Sequence, residues 1–212
     1  MPTAPISKEG YAYIAILAAL TIALGFIVNP YWSIIPGVLA VFTTFFFRNP
    51  NRTISNDRTL ILSPADGTVM NISEIVEEQF LNCPAIKVSI FLSIFDVHIN
   101  RSPVAGRILF QQYTCGRYKP AYKGSAPFQN ERLSIGLETG TVKILITQVA
   151  GIIARRIICW VTLGSDLKQG QSYGMIKFGS CTEVVMPLDI NVLVAKGDHV
   201  TGGKTIIGKI MQ

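Results

Sequence analysis

Between Tyr11 and Phe47 the chain has no charged residue at all. That absence excludes an ordinary solvated surface for the stretch and makes the N-terminus a membrane candidate. Histidine is nearly absent too, with only His98 and His199. The four cysteines, Cys83, Cys115, Cys159 and Cys181, show no C-x-x-C spacing, so a zinc site has little to draw on and no metal is expected. Four well-spread thiols suit a reducing compartment. Despite a net charge of +6, no Lys/Arg run with interleaved aromatics occurs, so nucleic acid is not an expected partner. A G-x-S-x-G nucleophile elbow is missing as well, because Phe178 and Thr182 stand where its glycines would be.

The apolar stretch consists of Tyr11–Val28, then Asn29-Pro30, then Tyr31–Phe47. A spanning helix needs roughly 17 to 25 apolar residues, and Asn-Pro is a turn signal whose first residue disfavours helix. Two short helices forming a hairpin are the first reading, and one long kinked span is the second. A cleaved signal peptide would need a basic start and a shorter apolar core. Arg48, Arg52 and Arg58 follow closely, and positive residues stay cytoplasmic. The expectation is a cell-membrane protein whose residues 48–212 lie on the cytoplasmic side. Lys8 and Glu9 cancel, so the whole excess positive charge falls on that part, where it suits an anionic lipid surface.

After the anchor (1–47) and a linker (48–62), the body (63–212) reads as short β-rich runs punctuated by Gly, Pro, Asn and Asp. Expected strands are Thr68–Ile72, Ala85–Leu92, Arg107–Gln112, Leu133–Leu137, Val142–Val149, Ile157–Leu163, Tyr173–Phe178, Glu183–Met186 and Thr205–Ile210. A short helix at Ile152–Arg156 is a further expectation. The fold class is therefore mainly β, a β-rich α+β domain of barrel or sandwich type with an N-terminal transmembrane helical anchor. SPADGTVMNI and VAKGDHVTGGKTIIGKI resemble the hammerhead-like elements of biotinyl and lipoyl carrier domains. No Met-Lys-Met-like hairpin accompanies them, so that likeness is architectural.

In KFGSCTEVVMP, residues 177–187, Gly179, Ser180 and Cys181 interrupt what otherwise reads as one buried strand. A bulge or tight turn is the plain explanation. The alternative is that the peptide bond itself reacts. Asp66 in SPADGTV reads first as a turn residue, and His98 in FDVHINRSPVAG as a satisfied structural histidine. In the order Asp66, His98, Ser180 they also fit a nucleophile–base–orienter set. A membrane-tethered serine hydrolase and a non-catalytic carrier or adaptor module both stay open at this level.

SPADGTV, FDVHINRSPVAG, NERLSIGLETG, QVAGIIARRI and GMIKFGS, in this order and spacing, resemble the short form of phosphatidylserine decarboxylase over roughly residues 46–212. Archaetidylserine decarboxylases are close relatives of that form, so the resemblance leaves diacyl and ether lipids both open. It implies self-cleavage at Gly179-Ser180, with Ser180 becoming a covalent pyruvoyl group, the sole cofactor. His98 would be the base and Asp66 its orienting carboxylate. The fragments 1–179 and 180–212 would stay together as a heterodimer. The pyruvoyl ketone would form a Schiff base with an aminophospholipid in the membrane, turning phosphatidylserine into phosphatidylethanolamine. Arg155 and Arg156 could grip the lipid phosphate. One departure concerns Phe95, which stands where longer relatives carry a second histidine. Proton return to the α-carbon would then fall to His98, Asp96 or water. His199, in a KGDHV turn, reads as structural or exposed.

Overall fold

A computed structural model of the chain describes residues 4–116, 130–140, 142–151, 156–177 and 180–211. It divides into two compact units, one of residues 2–51 and one beginning at Arg52.

In the first unit the apolar stretch forms α1 (Tyr11–Ile27), entered through a 3-10 turn at Lys8–Gly10, and α2 (Pro30–Phe46). Asn29 makes the break. Its backbone is extended and its side chain accepts from the Tyr31 N–H at 3.0 Å, capping α2, while Pro30 occupies the first turn where no N–H is needed. The two helices pack on each other, and their outer ends meet. Ser7 N–H donates to Phe47 O at 2.8 Å, and Asn49 N–H to Pro5 O at 2.6 Å. The unit is thus a helical hairpin, with Ile16, Phe26, Trp32 and Val41 among many exposed apolar side chains. Lys8–Ile27 is long and apolar enough to cross a bilayer, whereas Pro30–Phe46 is shorter.

The second unit is strand-rich. Its eight-stranded antiparallel sheet is curled and runs in the order β13 (His199–Val200), β2 (Gly67–Glu77), β3 (Cys83–Leu92), β11 (Ser180–Pro187), β7 (Lys143–Ala150), β6 (Arg132–Glu138), β5 (Gly106–Thr114), β9 (Asp166–Leu167). Two three-stranded sheets accompany it. One is β1 (Leu60–Leu62), β14 (Ile206–Ile210), β12 (Ile190–Val192), and the other β4 (Ile99–Arg101), β10 (Ser172–Ile176), β8 (Ile157–Cys159). All three sheets feed one apolar core, which includes Ile61, Ile90, Ile146, Tyr173, Val184 and Ile207. Burying each large aliphatic contributes about 1.5–3 kcal/mol, so this shared core is the main force holding the sheets together.

Each of the nine runs expected from the sequence contains a strand, but five short strands were not expected. Strands β1, β4, β9, β12 and β13 have two or three residues each, too few to show an alternating period. The end of the expected linker 48–62 is strand β1, paired to β14. The run expected over Ile157–Leu163 stops at Cys159, because a turn closed by Ser165 N–H on Thr162 O at 3.1 Å takes over. Residues 152–155 of the expected helix lie outside the described residues. The hammerhead-like segments do meet, since His199 and Val200 of β13 pair with Thr68 and Gly67 of β2.

The break in KFGSCTEVVMP marks a change of sheet. Strand β10 ends at Ile176 in a three-stranded sheet, and β11 begins at Ser180 in the centre of the eight-stranded one. Ser180 and Cys181, read from the sequence as part of the interruption, belong to β11. Phe178 and Gly179 lie outside the described residues.

Candidate active site

Ser180 is the first residue of β11, opposite Leu92 of β3 on one side and Ala150 of β7 on the other. Alternation along the strand puts Ser180, Thr182, Val184 and Met186 on one face, and the last two are in the main core. Ser180 is fully buried, and its hydroxyl oxygen has no hydrogen-bond partner among the described residues. A buried hydroxyl left in that state costs about 1–3 kcal/mol, so a chain keeps one only for a reason.

His98 immediately precedes β4 and is also fully buried. Its carbonyl accepts from Ile176 N–H at 3.3 Å, tying it to the end of β10, four residues before Ser180. Its Nδ1 lies 3.0 Å from the Asp96 carbonyl oxygen. A carbonyl only accepts, so Nδ1 carries a proton there, which leaves Nε2 as the ring nitrogen able to act as a base.

Two residues beyond each candidate, a buried polar network locks the segments together. Asn100 Nδ2 donates to Thr182 Oγ1 at 2.9 Å, and Gln148 Nε2 donates to Asn100 Oδ1 at 2.7 Å. Asn100, Gln148 and Thr182 are all fully buried. Gln148 stands opposite Thr182 in the β7–β11 register, two rows from Ser180 and on the same face. The network therefore fixes the register of the His98 strand against the Ser180 strand. Gly174 of β10 makes room for it, since a Cβ there would lie 2.5 Å from Ile158 O and 3.0 Å from Gln148 Nε2. Neither Asn100, Gln148 nor Thr182 stood out in the sequence. The available signal was polar residues at two-residue spacing from His98 and Ser180 inside apolar runs.

Asp66 reaches the same end of the sheet. Thr68, Phe91 and Cys181 share one row across β2, β3 and β11, which puts Asp66 two strands from Ser180, roughly 10 Å at strand spacing. Gly67 allows this: its φ is +153°, and a Cβ there would fall 2.1 Å from Phe91 O. The Asp66 carboxylate accepts from Arg52 Nη2 at 2.7 Å through Oδ2, and from Gly202 N–H at 2.8 Å through Oδ1. Arg101 lies close as well; burial, and then the positive charge of Arg52, lower its pKa. The Arg101 N–H donates to Pro64 O at 2.8 Å, which joins the end of β4 to the turn holding Asp66. From the sequence Arg52 reads only as a marker of membrane orientation, because its partner lies 14 residues away.

Beside Ser180, burial and then the Glu183 carboxylate push the Cys181 thiol pKa well up. All four cysteines are free thiols. His199 is exposed, with Nε2 at 3.8 Å from Asp96 Oδ1. Arg156 is exposed, while Arg155 and Gly179 fall outside the described residues.

The architecture defines a class first, a strand-rich domain behind an apolar helical anchor, with a buried serine and histidine at a sheet junction. A family model described as phosphatidylserine decarboxylase matches residues 39–208. A phosphatidylserine decarboxylase proenzyme of Carboxydothermus hydrogenoformans is 48% identical over 96% of this chain and 95% of its own length. Proenzymes of the same name from Symbiobacterium thermophilum and Geotalea uraniireducens are 44% and 40% identical, covering 98% and 96% of this chain and 96% of their own lengths. The chain belongs to the phosphatidylserine decarboxylase family and is a decarboxylase. That membership sets aside the hydrolase and carrier readings.

Proposed function

We propose that this chain matures by cutting itself at Gly179-Ser180 and then decarboxylates phosphatidylserine to phosphatidylethanolamine with a pyruvoyl group formed from Ser180. The observation that carries the reading is the buried Ser180 hydroxyl, without a partner among the described residues, where the chain passes between sheets. A weak nucleophile needs a base, and His98 with its Nδ1 proton held by Asp96 O presents Nε2 for that task. In the cleavage, Ser180 Oγ attacks the Gly179 carbonyl and the amide becomes an ester, freeing the Ser180 nitrogen. Loss of the Ser180 α-proton and rupture of its Cβ–O bond release the Gly179 carboxylate and leave a dehydroalanine. Water then replaces its nitrogen, ammonia departs, and the 180–212 fragment begins with a ketone-bearing acyl group.

That group supplies an electron sink for the pair set free when the substrate carboxylate leaves as carbon dioxide. The surrounding residues hold and protect it. Asn100, Gln148 and Thr182 fill the space beside Ser180 and keep bulk water out. Asp66, fixed by Arg52 and Gly202, is proposed to orient His98 and bias its charge. Arg155 and Arg156 are proposed to pair with the lipid phosphate. Because β11 is hydrogen-bonded on both sides, the two fragments would remain one heterodimer after cleavage. The apolar hairpin holds the enzyme in the cell membrane, and the arginines at 48, 52 and 58 favour a cytoplasmic catalytic unit.

Intact mass under denaturing conditions tests the reading. The expected result is two chains parting at Gly179-Ser180, the smaller with a pyruvoyl terminus, and a single uncut chain in Ser180→Ala. His98→Ala should stop or greatly slow cleavage, and Asp66→Asn should slow it. A parent chain that stays whole on long incubation overturns the proposal.

A further inference from the structure

A second buried acid lies on the far side of Ser180 from Asp66. Glu131 is only 5% exposed and stands immediately before β6. Its carbonyl accepts from Ala150 N–H at 2.9 Å, so it extends the β6–β7 ladder by one row. Asn130, buried beside it, donates from Nδ2 to Ala150 O at 2.7 Å and pins the same end. Ala150 in turn pairs with Ser180. Glu131, Ala150 and Ser180 therefore form one row across β6, β7 and β11.

Residues in one row share a face of the sheet. Leu133 and Ile135 of β6 enter the main core, as do Val184 and Met186 of β11. Alternation then puts Glu131 on the Ser180 face, two strands away, roughly 10 Å at strand spacing. A glutamate side chain covers about half of that span, which leaves room for a small headgroup held at Ser180. The Tyr113 hydroxyl of β5 hydrogen-bonds the Glu131 carboxylate, and this contact pushes the tyrosine up to about 12. Other titratable groups at this end of the sheets include Cys115, which adds to that shift, Arg132 on the opposite face of β6, and Arg156 and Lys177 flanking β8 and β10.

The proposed reaction brings in a group that such a carboxylate recognises. The nitrogen of an aminophospholipid arrives as an ammonium, whose proton occupies the lone pair needed to attack a ketone. With an ordinary pKa of about 10, like that of lysine, only about one such nitrogen in a thousand is uncharged at neutral pH. The geometry points to Glu131 as the residue that receives the substrate ammonium and takes its proton. One N–H bond breaks and one O–H bond forms at a carboxylate oxygen. The electron pair stays on nitrogen, which is then free to attack. Tyr113 holds the carboxylate in place, and Asp66 flanks Ser180 from the other side. This inference rests on the proposed pyruvoyl chemistry.

The matured full-length protein in mild detergent provides the test, with two probes and the intact mass of the 180–212 fragment as readout. One probe is short-chain phosphatidylethanolamine, whose ammonium must lose a proton, fixed in place by cyanoborohydride. The other is hydroxylamine, whose nitrogen is already uncharged at neutral pH. Glu131→Gln should take up hydroxylamine at the parental rate. Its capture of phosphatidylethanolamine at about pH 7 should be about a hundredfold slower than the parent's, the scale of general-base catalysis. That deficit should shrink about tenfold per pH unit as the ammonium approaches its own pKa of about 10. Parental capture of both probes overturns the assignment, and so does an equal loss of both, which a merely structural role would give. If Glu131→Gln stays uncut, the parent decides. Its ratio of phosphatidylethanolamine to hydroxylamine capture should hold steady from about pH 9 to about pH 6, and a ratio that falls about tenfold per pH unit overturns the assignment. A parent that captures neither probe sinks the proposed function, and the role of Glu131 falls with it.

Discussion

Replacing Asn100 by alanine tests the idea that a buried polar network, rather than apolar packing alone, sets the register of the site. The substitution removes the Thr182 donor contact at 2.9 Å and the Gln148 acceptor contact at 2.7 Å. It leaves Thr182 Oγ1 and Gln148 Nε2 without these partners in a fully buried setting. Each abandoned group costs about 1–3 kcal/mol, so the total comes to about 2–6 kcal/mol, a large part of the roughly 5–15 typical of a domain. Stability should be read by urea unfolding of the full chain in mild detergent, on a Ser180→Ala background so that cleavage and unfolding do not mix. With Ser180 intact, the rate at which Asn100→Ala divides into its two fragments should fall by roughly tenfold to a hundredfold, the scale for about 1 Å of misplacement at a reacting centre. Thr182→Val should show part of both effects, and a double-mutant cycle between the two positions should give a coupling of about 1 kcal/mol or more. A stability change under about 0.5 kcal/mol together with cleavage at the parental rate would refute the reasoning. The two segments would then be held by the core alone.

Two other measurements probe the frame around the site. Gly67→Ala places a methyl 2.1 Å from Phe91 O at a φ of +153°. It should destabilise the catalytic unit by at least about 1–3 kcal/mol and slow cleavage, since Asp66 is displaced with it; a variant as stable as the parent would show that the turn relaxes freely. Stability should also fall as pH rises. Burial raises the pKa of the Cys181 and Cys159 thiols, so above the ordinary value of 9.0 the unfolded chain loses these protons while the folded one keeps them. Tyr173 adds to the trend above its ordinary 10.0. The fully buried Cys181 and Tyr173 each contribute on the order of 1.4 kcal/mol per pH unit in that window, the half-buried Cys159 less because solvent screens it, and none of them anything below it. Unfolding free energies that are flat from about pH 8 to pH 11 would contradict this account.

Much of this protein is legible along the chain. A charge-free apolar stretch with Asn-Pro at its centre divides at that dipeptide, because proline lacks an N–H and asparagine caps a helix. The longer strands announce themselves by apolar alternation and turn residues, both local signals. The Gly179-Ser180 dipeptide and its candidate partners at 66 and 98 stand in motifs that are specific in combination, and these motifs carry the family. Other features depend on residues far apart in sequence. Asn100 and Thr182 are separated by 82 positions and Gln148 and Asn100 by 48, so no window of sequence reveals that they meet. The same holds for Arg52 on Asp66, and for the joining of residues 5–7 to 47–49 that closes the helical pair into a hairpin. The Gly-Ser break itself shows the division most clearly. Sequence alone shows that a strand is interrupted there. Only strand pairing shows that the chain changes sheets at that point, because hydrogen-bond partners of a strand are chosen by the tertiary core and not by the strand's own residues.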